Sequence, residues 1–253
     1  MEKEEKKVVD IKRIRRKRKK DWKKKLLVFL LLCFSVFVLL FSPIFNIVSI
    51  DVVGNSKVTS ENIVNSTGLY IGQNIFRINK ITIKEKILLL PYIENVKIQR
   101  KLPNKIHIEV TEKQPIAAIE FMGSNVFIDE SGYVLESILI NGEEIYIPHI
   151  TGFNLNTIVV GEKIKVDNIE NLQKIIKILH EIKLNNYINE IENTYIDTNN
   201  NIILNTKKGQ QVILGDISDF DYKVMLLREI MTREQSNILI DISNIDKPIT
   251  RPI

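Results

Sequence analysis

The stretch Leu90-Pro91-Tyr92-Ile93-Glu94-Asn95-Val96-Lys97-Ile98-Gln99-Arg100-Lys101-Leu102-Pro103-Asn104-Lys105-Ile106-His107-Ile108-Glu109-Val110-Thr111-Glu112 governs how the first half of this chain folds. Val96 and Ile98 alternate with Lys97 and Gln99, and Ile106, Ile108 and Val110 alternate with His107, Glu109 and Thr111. A period of two sends one row of side chains to a core and the other to water, so each segment reads as a half-buried strand. The link Lys101–Lys105 is short, and Pro103-Asn104 supplies turn chemistry, which makes the pair a hairpin. Pro91 lacks an amide donor and ends whatever helix precedes it.

Upstream, that helix runs over roughly Asn79–Leu90. Before it, Thr59 or Ser60 offers an N-cap for a short helix, Glu61–Thr67, with an acid in its first turn and Gly68 as its left-handed stop. Val48, Ile50 and Val52 form a further half-buried strand, closed by the turn signal Gly54-Asn55. The order is strand, helix, helix, strand, strand, enough for a two-layer domain with helices on one sheet face.

Further upstream the texture changes. Residues 1–25 hold 14 Lys/Arg against 5 Asp/Glu, a net of +9, which leaves 22 basic and 26 acidic residues in 26–253, a net of −4. The chain's overall +5 therefore belongs to a tail, and a generally basic, nucleic-acid-binding body is disfavoured. From Leu26 to Ile50 no residue is charged, and Leu26–Phe41 is almost unbroken Leu, Val and Phe. About 20 apolar residues in a helix cross the hydrocarbon core, so 26–45 reads as a transmembrane segment. No small-residue cleavage pattern follows it, which makes it an uncleaved signal anchor. The polycation ahead of it stays in the cytoplasm, beside anionic lipid, with Trp22 at the headgroup level. The topology is single-pass type II, with the body outside the membrane.

Downstream of Pro115 the chain is mostly β. Ala117–Glu120, Asn125–Ile128 and Tyr133–Leu135 read as short strands, with Asp129-Glu130-Ser131-Gly132 as a turn; Ile147–Gly152 reads as loop. Asn168 caps a helix through about Lys183, in which Ile169, Leu172, Ile175, Ile176, Leu179 and Ile182 recur at helical spacing. Three more strands, Asn193–Asp197, Ile202–Thr206 and Gln211–Gly215, precede a second helix from Asp219 to about Gln235 that buries Val224, Leu227 and Met231. Ile238–Ile242 and a short segment, Pro248–Ile253, close the chain.

Catalytic constellations are missing from this pattern. No serine has lysine three residues on, as a penicillin-binding acyl-transferase requires, and the nearest approach to Lys-Thr-Gly is Lys207-Lys208-Gly209. The single cysteine, Cys33, lies inside the apolar run, which removes thiol catalysis, a disulfide framework and a Cys-based zinc site. His107, His149 and His180 lack metal-ligand spacing, and Glu143-Glu144 are adjacent residues whose side chains point apart. No phosphate loop is present. The expectation is no cofactor, no metal, no nucleic acid and no small-molecule substrate.

The same residues carry a resemblance. Ser49–Asn55, Gly72–Phe76, Leu90–Arg100 and Leu102–Glu112 resemble a POTRA domain, and more narrowly that of the bacterial cell-division family FtsQ/DivIB. Asp129–Gly132, Leu214-Gly215 ahead of Lys223, and Ile240-Asp241-Ile242 before a final strand sit where that family has its β-domain. The resemblance implies an α+β chain with a cytoplasmic basic tail (1–25), a transmembrane anchor (26–45), a β-α-α-β-β POTRA domain (46–114) and a mixed β-domain with two helices (115–253). It implies a non-enzymatic divisome scaffold at the division septum that binds FtsB/DivIC and FtsL outside the membrane, with a penicillin-binding protein as a further partner. In the family the β-domain takes its partner largely by strand addition near the C-terminal end. Carried onto this chain, the receptive edge is Ile249, Thr250, Arg251 and Ile253, with Ile238–Ile242 inside it.

Two departures bear on that edge: Ser243-Asn244 stands where the family often has Arg-aromatic, and Pro248 and Pro252 each lack a donor. A frayed terminus is the alternative for Pro248–Ile253. Two other function classes stay open, a POTRA-containing secretion or outer-membrane assembly factor and a wall-modifying enzyme. The first would want POTRA repeats or a downstream barrel, and the second a catalytic constellation.

Overall fold

In the computed structural model, which describes residues 22–142, 145–216, 218, 220–232 and 236–253, the alternating stretch forms two neighbouring strands. The tail ahead of Trp22, Glu143-Glu144, Asp219 and Gln235 lie outside the described residues, as does the side chain of Met231.

Helix α1 covers residues 22–40. It stops because Ser42-Pro43 cannot continue it; Pro43–Phe45 instead makes a 3-10 turn, with the Ser42 hydroxyl accepting from the Ile44 N–H. The segment expected to be membrane-spanning over 26–45 is thus α-helical only to residue 40. Its apolar helical part, 26–40, rises about 22 Å at about 1.5 Å per residue, short of the roughly 30 Å hydrocarbon core. Among the described residues no helix is long and apolar enough to cross a membrane.

By internal contacts the chain divides into two units. The first comprises residues up to Val53 together with Ser60–Lys84 and Lys97–Glu109; the second comprises Gly54–Thr59, Glu85–Val96 and Val110–Ile253. The elements through the hairpin are β1 (Ser49–Val53), α2 (Ser60–Thr67), α3 (Lys80–Leu88), β2 (Ile93–Lys101) and β3 (Lys105–Glu112), the order expected from sequence. They build a three-stranded sheet of order β1-β3-β2, with β1 parallel to β3 in the register Ser49↔Lys105 to Val53↔Glu109. The core of the first unit is isoleucine: Ile47, Ile63, Ile75, Ile106 and Ile108 are fully buried. Burial of each such side chain contributes about 1.5–3 kcal/mol. Arg100 holds the loop before α3 by donating from Nε to the Ile75 carbonyl at 2.9 Å and from Nη2 to that of Ile78 at 2.8 Å. Val48, expected on the buried face, is exposed; Ile47 takes that place.

The second unit is organised by a nine-stranded sheet: β4 (Ala117–Phe121), β5 (Ser124–Ile128), β6 (Val134–Leu139), β7 (His149–Ile150), β8 (Ile191–Ile196), β9 (Ile202–Thr206), β10 (Gln211–Gly215), β11 (Ile238–Asp241) and β12 (Ile249–Pro252). Their spatial order is β12-β11-β10-β9-β8-β7-β4-β5-β6. Helix α4 (Ile169–Leu184) begins at Asn168, whose side chain accepts from the Asn171 N–H at 3.0 Å, and buries Leu172, Ile175, Ile176, Ile178, Leu179 and Ile182. Those residues share one apolar cluster with Val126, Ile150, Leu204 and Ile240 from the sheet. Helix α5 (Phe220–Thr232) contributes Leu227. Ile169 and Val224, both expected inside, are exposed and half-buried respectively.

The stretch expected as loop, Ile147–Gly152, contains β7. His149 and Ile150 pair in parallel with Ala118 and Ile119 on one side and with Asn193 and Thr194 on the other. Two residues carry no legible alternation, yet they join the β4–β6 and β8–β12 groups into one sheet.

Candidate partner-binding edge

One end of the nine-stranded sheet is β12, and its free side is set by hydrogen-bond parity. Beside it β11 runs parallel to β10 and antiparallel to β12, in the register Ile238↔Pro252, Leu239↔Arg251, Ile240↔Thr250 and Asp241↔Ile249. The Ile253 N–H donates to the Asn237 carbonyl at 3.1 Å, continuing that register by one pair. Hydrogen-bonded and non-hydrogen-bonded pairs alternate along an antiparallel ladder. Ile253, Arg251 and Ile249 therefore turn their backbone groups inward to β11, and Pro252 and Thr250 turn theirs outward. Proline has no N–H, so the Thr250 amide is the strand's single outward donor, accompanied by the Thr250 and Pro252 carbonyls as acceptors.

The structure thus places Ile249, Thr250 and Arg251 in the edge strand and Ile253 directly after it. All four β12 residues are exposed. The side chains beneath are not: Ile240, opposite Thr250, is fully buried.

The end of β10 and β11 is locked by three local devices. Asp241 accepts from the Ser243 N–H at 2.9 Å and its hydroxyl at 2.6 Å, turning the chain away from the sheet. Gly215 has φ +70°, and a Cβ there would stand 2.8 Å from Ser243 Cβ, so only glycine fits this close approach. Lys223 is 1% exposed and donates from Nζ to the Asp216 carbonyl at 3.0 Å and carboxylate at 3.3 Å. Hydrogen bonds from the Ser218 hydroxyl and N–H, with Lys223 beside it, hold the Asp216 carboxyl below the usual range despite slight burial. By sequence Lys223 is named only through the resemblance, and its burial is not foreseen. Its signal was a place one helical turn before buried Leu227 on the same helix face.

Elsewhere in the second unit a hollow of about 650 Å³ opens beside α4. Leu172 and Ile176 contribute its apolar lining, with Lys163, Lys177, Glu130 and His180 among the polar groups around it. His180 has Nδ1 2.8 Å from Glu130 Oε2, a contact that becomes a hydrogen bond only when Nδ1 carries a proton. His107 and His149 are half-buried strand residues far from it in the chain.

Comparison with known proteins adds two family matches. Residues 45–113 match the POTRA domain of FtsQ type, and residues 118–246 match the C-terminal domain described as cell division protein FtsQ/DivIB. The second match ends short of β12. Among relatives, the cell division protein DivIB of Clostridium tetani is 35% identical over 184 residues, covering 72% of this chain and 68% of that one. The DivIB of Clostridium botulinum strain Hall is 31% identical, covering 88% and 86% respectively. That of Clostridium acetobutylicum is 33% identical, covering 85% and 82%.

Proposed function

The chain belongs to the FtsQ/DivIB family of cell division proteins, and on that basis we propose that it is a non-enzymatic scaffold of the division machinery, docking partner proteins on the open edge of β12. The observation that carries this reading is the edge itself: an exposed strand on a buried support, with one outward donor and its acceptors unsatisfied by the described residues. Such an edge is completed by a strand from another chain, through main-chain hydrogen bonds that depend little on side-chain identity. The partners we assign are the FtsB/DivIC and FtsL types, with a penicillin-binding protein as a further member of the assembly.

The site of action is the outer side of the cell membrane at the septum. Residues 26–45 act as the anchor, with the uncharged residues beyond residue 40 making up the length that the helix alone lacks, and the basic tail acts on the cytoplasmic side against anionic lipid. Support comes from the absence of charge between Leu26 and Ile50 and from the exposure of the consecutive residues Phe29, Leu30, Leu31 and Leu32, which point to successive sides of α1, each more than half exposed and each in need of an apolar cover.

Thr250→Pro tests the docking reading. It removes the one outward amide and no inward one, so the fold survives and circular dichroism stays unchanged. Co-purification of DivIC- and FtsL-type partners with the full-length chain is expected to be lost. Undiminished co-purification with this variant would overturn the edge assignment.

A further inference from the structure

The opposite end of the nine-stranded sheet is β6, and it is guarded differently. Strand β6 pairs antiparallel with β5 in the register Ser124↔Leu139, Asn125↔Ile138, Val126↔Ser137 and Phe127↔Glu136. The Ile140 N–H donates to the Gly123 carbonyl at 2.9 Å, which continues that register and fixes its parity. Glu136, Ile138 and Ile140 therefore point their backbone groups inward to β5, and Ser137 and Leu139 point theirs outward.

The start of this edge is already covered. The Val134 N–H donates to the Glu162 carbonyl at 2.9 Å, and the Val134 carbonyl accepts from the Gly161 N–H at 2.8 Å. Further along, among the described residues, no backbone group meets the outward side of Ser137 or Leu139. Solvent-facing edges in soluble proteins are blunted by proline, by charge or by a covering loop. Residues 137–141 contain neither proline nor charge, and Ile138, Leu139 and Ile140 are 39%, 73% and 47% exposed. The one charge of the strand, Glu136, is already compensated: Lys57 Nζ lies 2.7 Å from it and the Tyr92 hydroxyl donates to it. Burial first, and Glu136 second, push the Tyr92 hydroxyl well above its ordinary range, so it remains a donor.

We propose that β6 is a self-association edge, on which two copies of this chain pair antiparallel about a two-fold axis at Ile138. The open groups fit such an axis. Ser137 and Leu139 lie symmetrically about Ile138, so Ser137 exchanges hydrogen bonds with Leu139 of the partner subunit, and Leu139 with Ser137 of the partner subunit. The ladder gains about four bonds. Ile138 meets Ile138 of the partner subunit at a non-hydrogen-bonded position, where facing side chains come closest. Glu136 falls opposite Ile140 of the partner subunit, and Lys57 already neutralises it, so no like charges meet. The contact is isologous and closes at two copies. A single strand pair buries less than the roughly 1,200–2,000 Å² of a stable, specific interface. Association is therefore weak in dilute solution and rises when chains are confined together.

A disulfide trap on the full-length chain tests this. In a Cys33→Ala background, Ile138→Cys is expected to give an oxidised dimer, because facing residues at a non-hydrogen-bonded position lie about 4.5 Å apart at Cα, within disulfide reach. Thr198→Cys, on an exposed loop, is expected to give none. Adding Leu139→Pro to Ile138→Cys removes an outward amide and leaves the β5 ladder intact, so the dimer is expected to disappear while the melting temperature holds. Three results would overturn the proposal: no dimer from the Ile138→Cys variant, a dimer equally abundant once Leu139→Pro is added, or the introduced thiol joined only to a different protein.

Discussion

The two ends of the nine-stranded sheet are both edges, yet their chemistry differs. At β12 the outward backbone is interrupted by Pro252, with Pro248 just ahead of the strand, leaving one donor at Thr250. At β6 the outward backbone of Ser137 and Leu139 is complete, and exposed aliphatic side chains surround it. A proline-restricted edge admits few partners and discriminates by register, whereas the complete outward backbone at β6 matches a second copy of the same strand. The two contacts would then lie at opposite ends of one sheet.

The contrast is most open to challenge through the supports of the two edges. Ile240 is fully buried behind β12, and Ile240→Ala is expected to lower unfolding free energy by about 2–5 kcal/mol. Ile138, on β6, is 39% exposed, and Ile138→Ala is expected to cost less than about 1 kcal/mol. Chemical denaturation of both variants measures the difference; equal losses would show that the edges are supported alike. A gentler substitution probes the donor count. Pro252→Ala restores an outward donor to β12 and is expected to tighten partner binding by about 0.5–1.5 kcal/mol, the worth of one hydrogen bond. Titration calorimetry with a DivIC-type partner reads it, and unchanged affinity would mean that the partner does not run past Thr250.

The smallest effect is on pH. A carboxyl held below its ordinary value stabilises the fold above that value and ceases to do so as pH falls through its lowered one. Asp216, held below its ordinary 3.8, is therefore expected to lose its contribution to the turn beneath β11 only under acid conditions. Thermal melts of the native chain and of Asp216→Asn are expected to differ above that range and to converge below it.

Much of this fold is legible in the amino-acid sequence. The hairpin of β2 and β3 announced itself because Val96, Ile98, Ile106, Ile108 and Val110 alternate without interruption, and all are buried. The α4 cap at Asn168 was legible from side-chain chemistry alone. Strand β7 was not, since two residues between Pro148 and Gly152 owe their conformation to neighbours far away in the chain. The full length of β6 escaped for the opposite reason: its later residues lie beyond the core, so burial imposes no alternation on them. At β12 the residues could be named from sequence, but not the lone outward donor, because parity depends on a bond between Ile253 and Asn237. Lys223 was hidden by its charge, which reads as surface until its two bonds to Asp216 are seen.

Residue-resolved amide hydrogen exchange of the full-length chain, alone and with the proposed DivIC- and FtsL-type partners added, is the most direct measure of where docking occurs. The Thr250 amide is expected to exchange freely in the isolated chain and to become protected in the complex. A Thr250 amide that exchanges at the same rate in both states would contradict docking at β12.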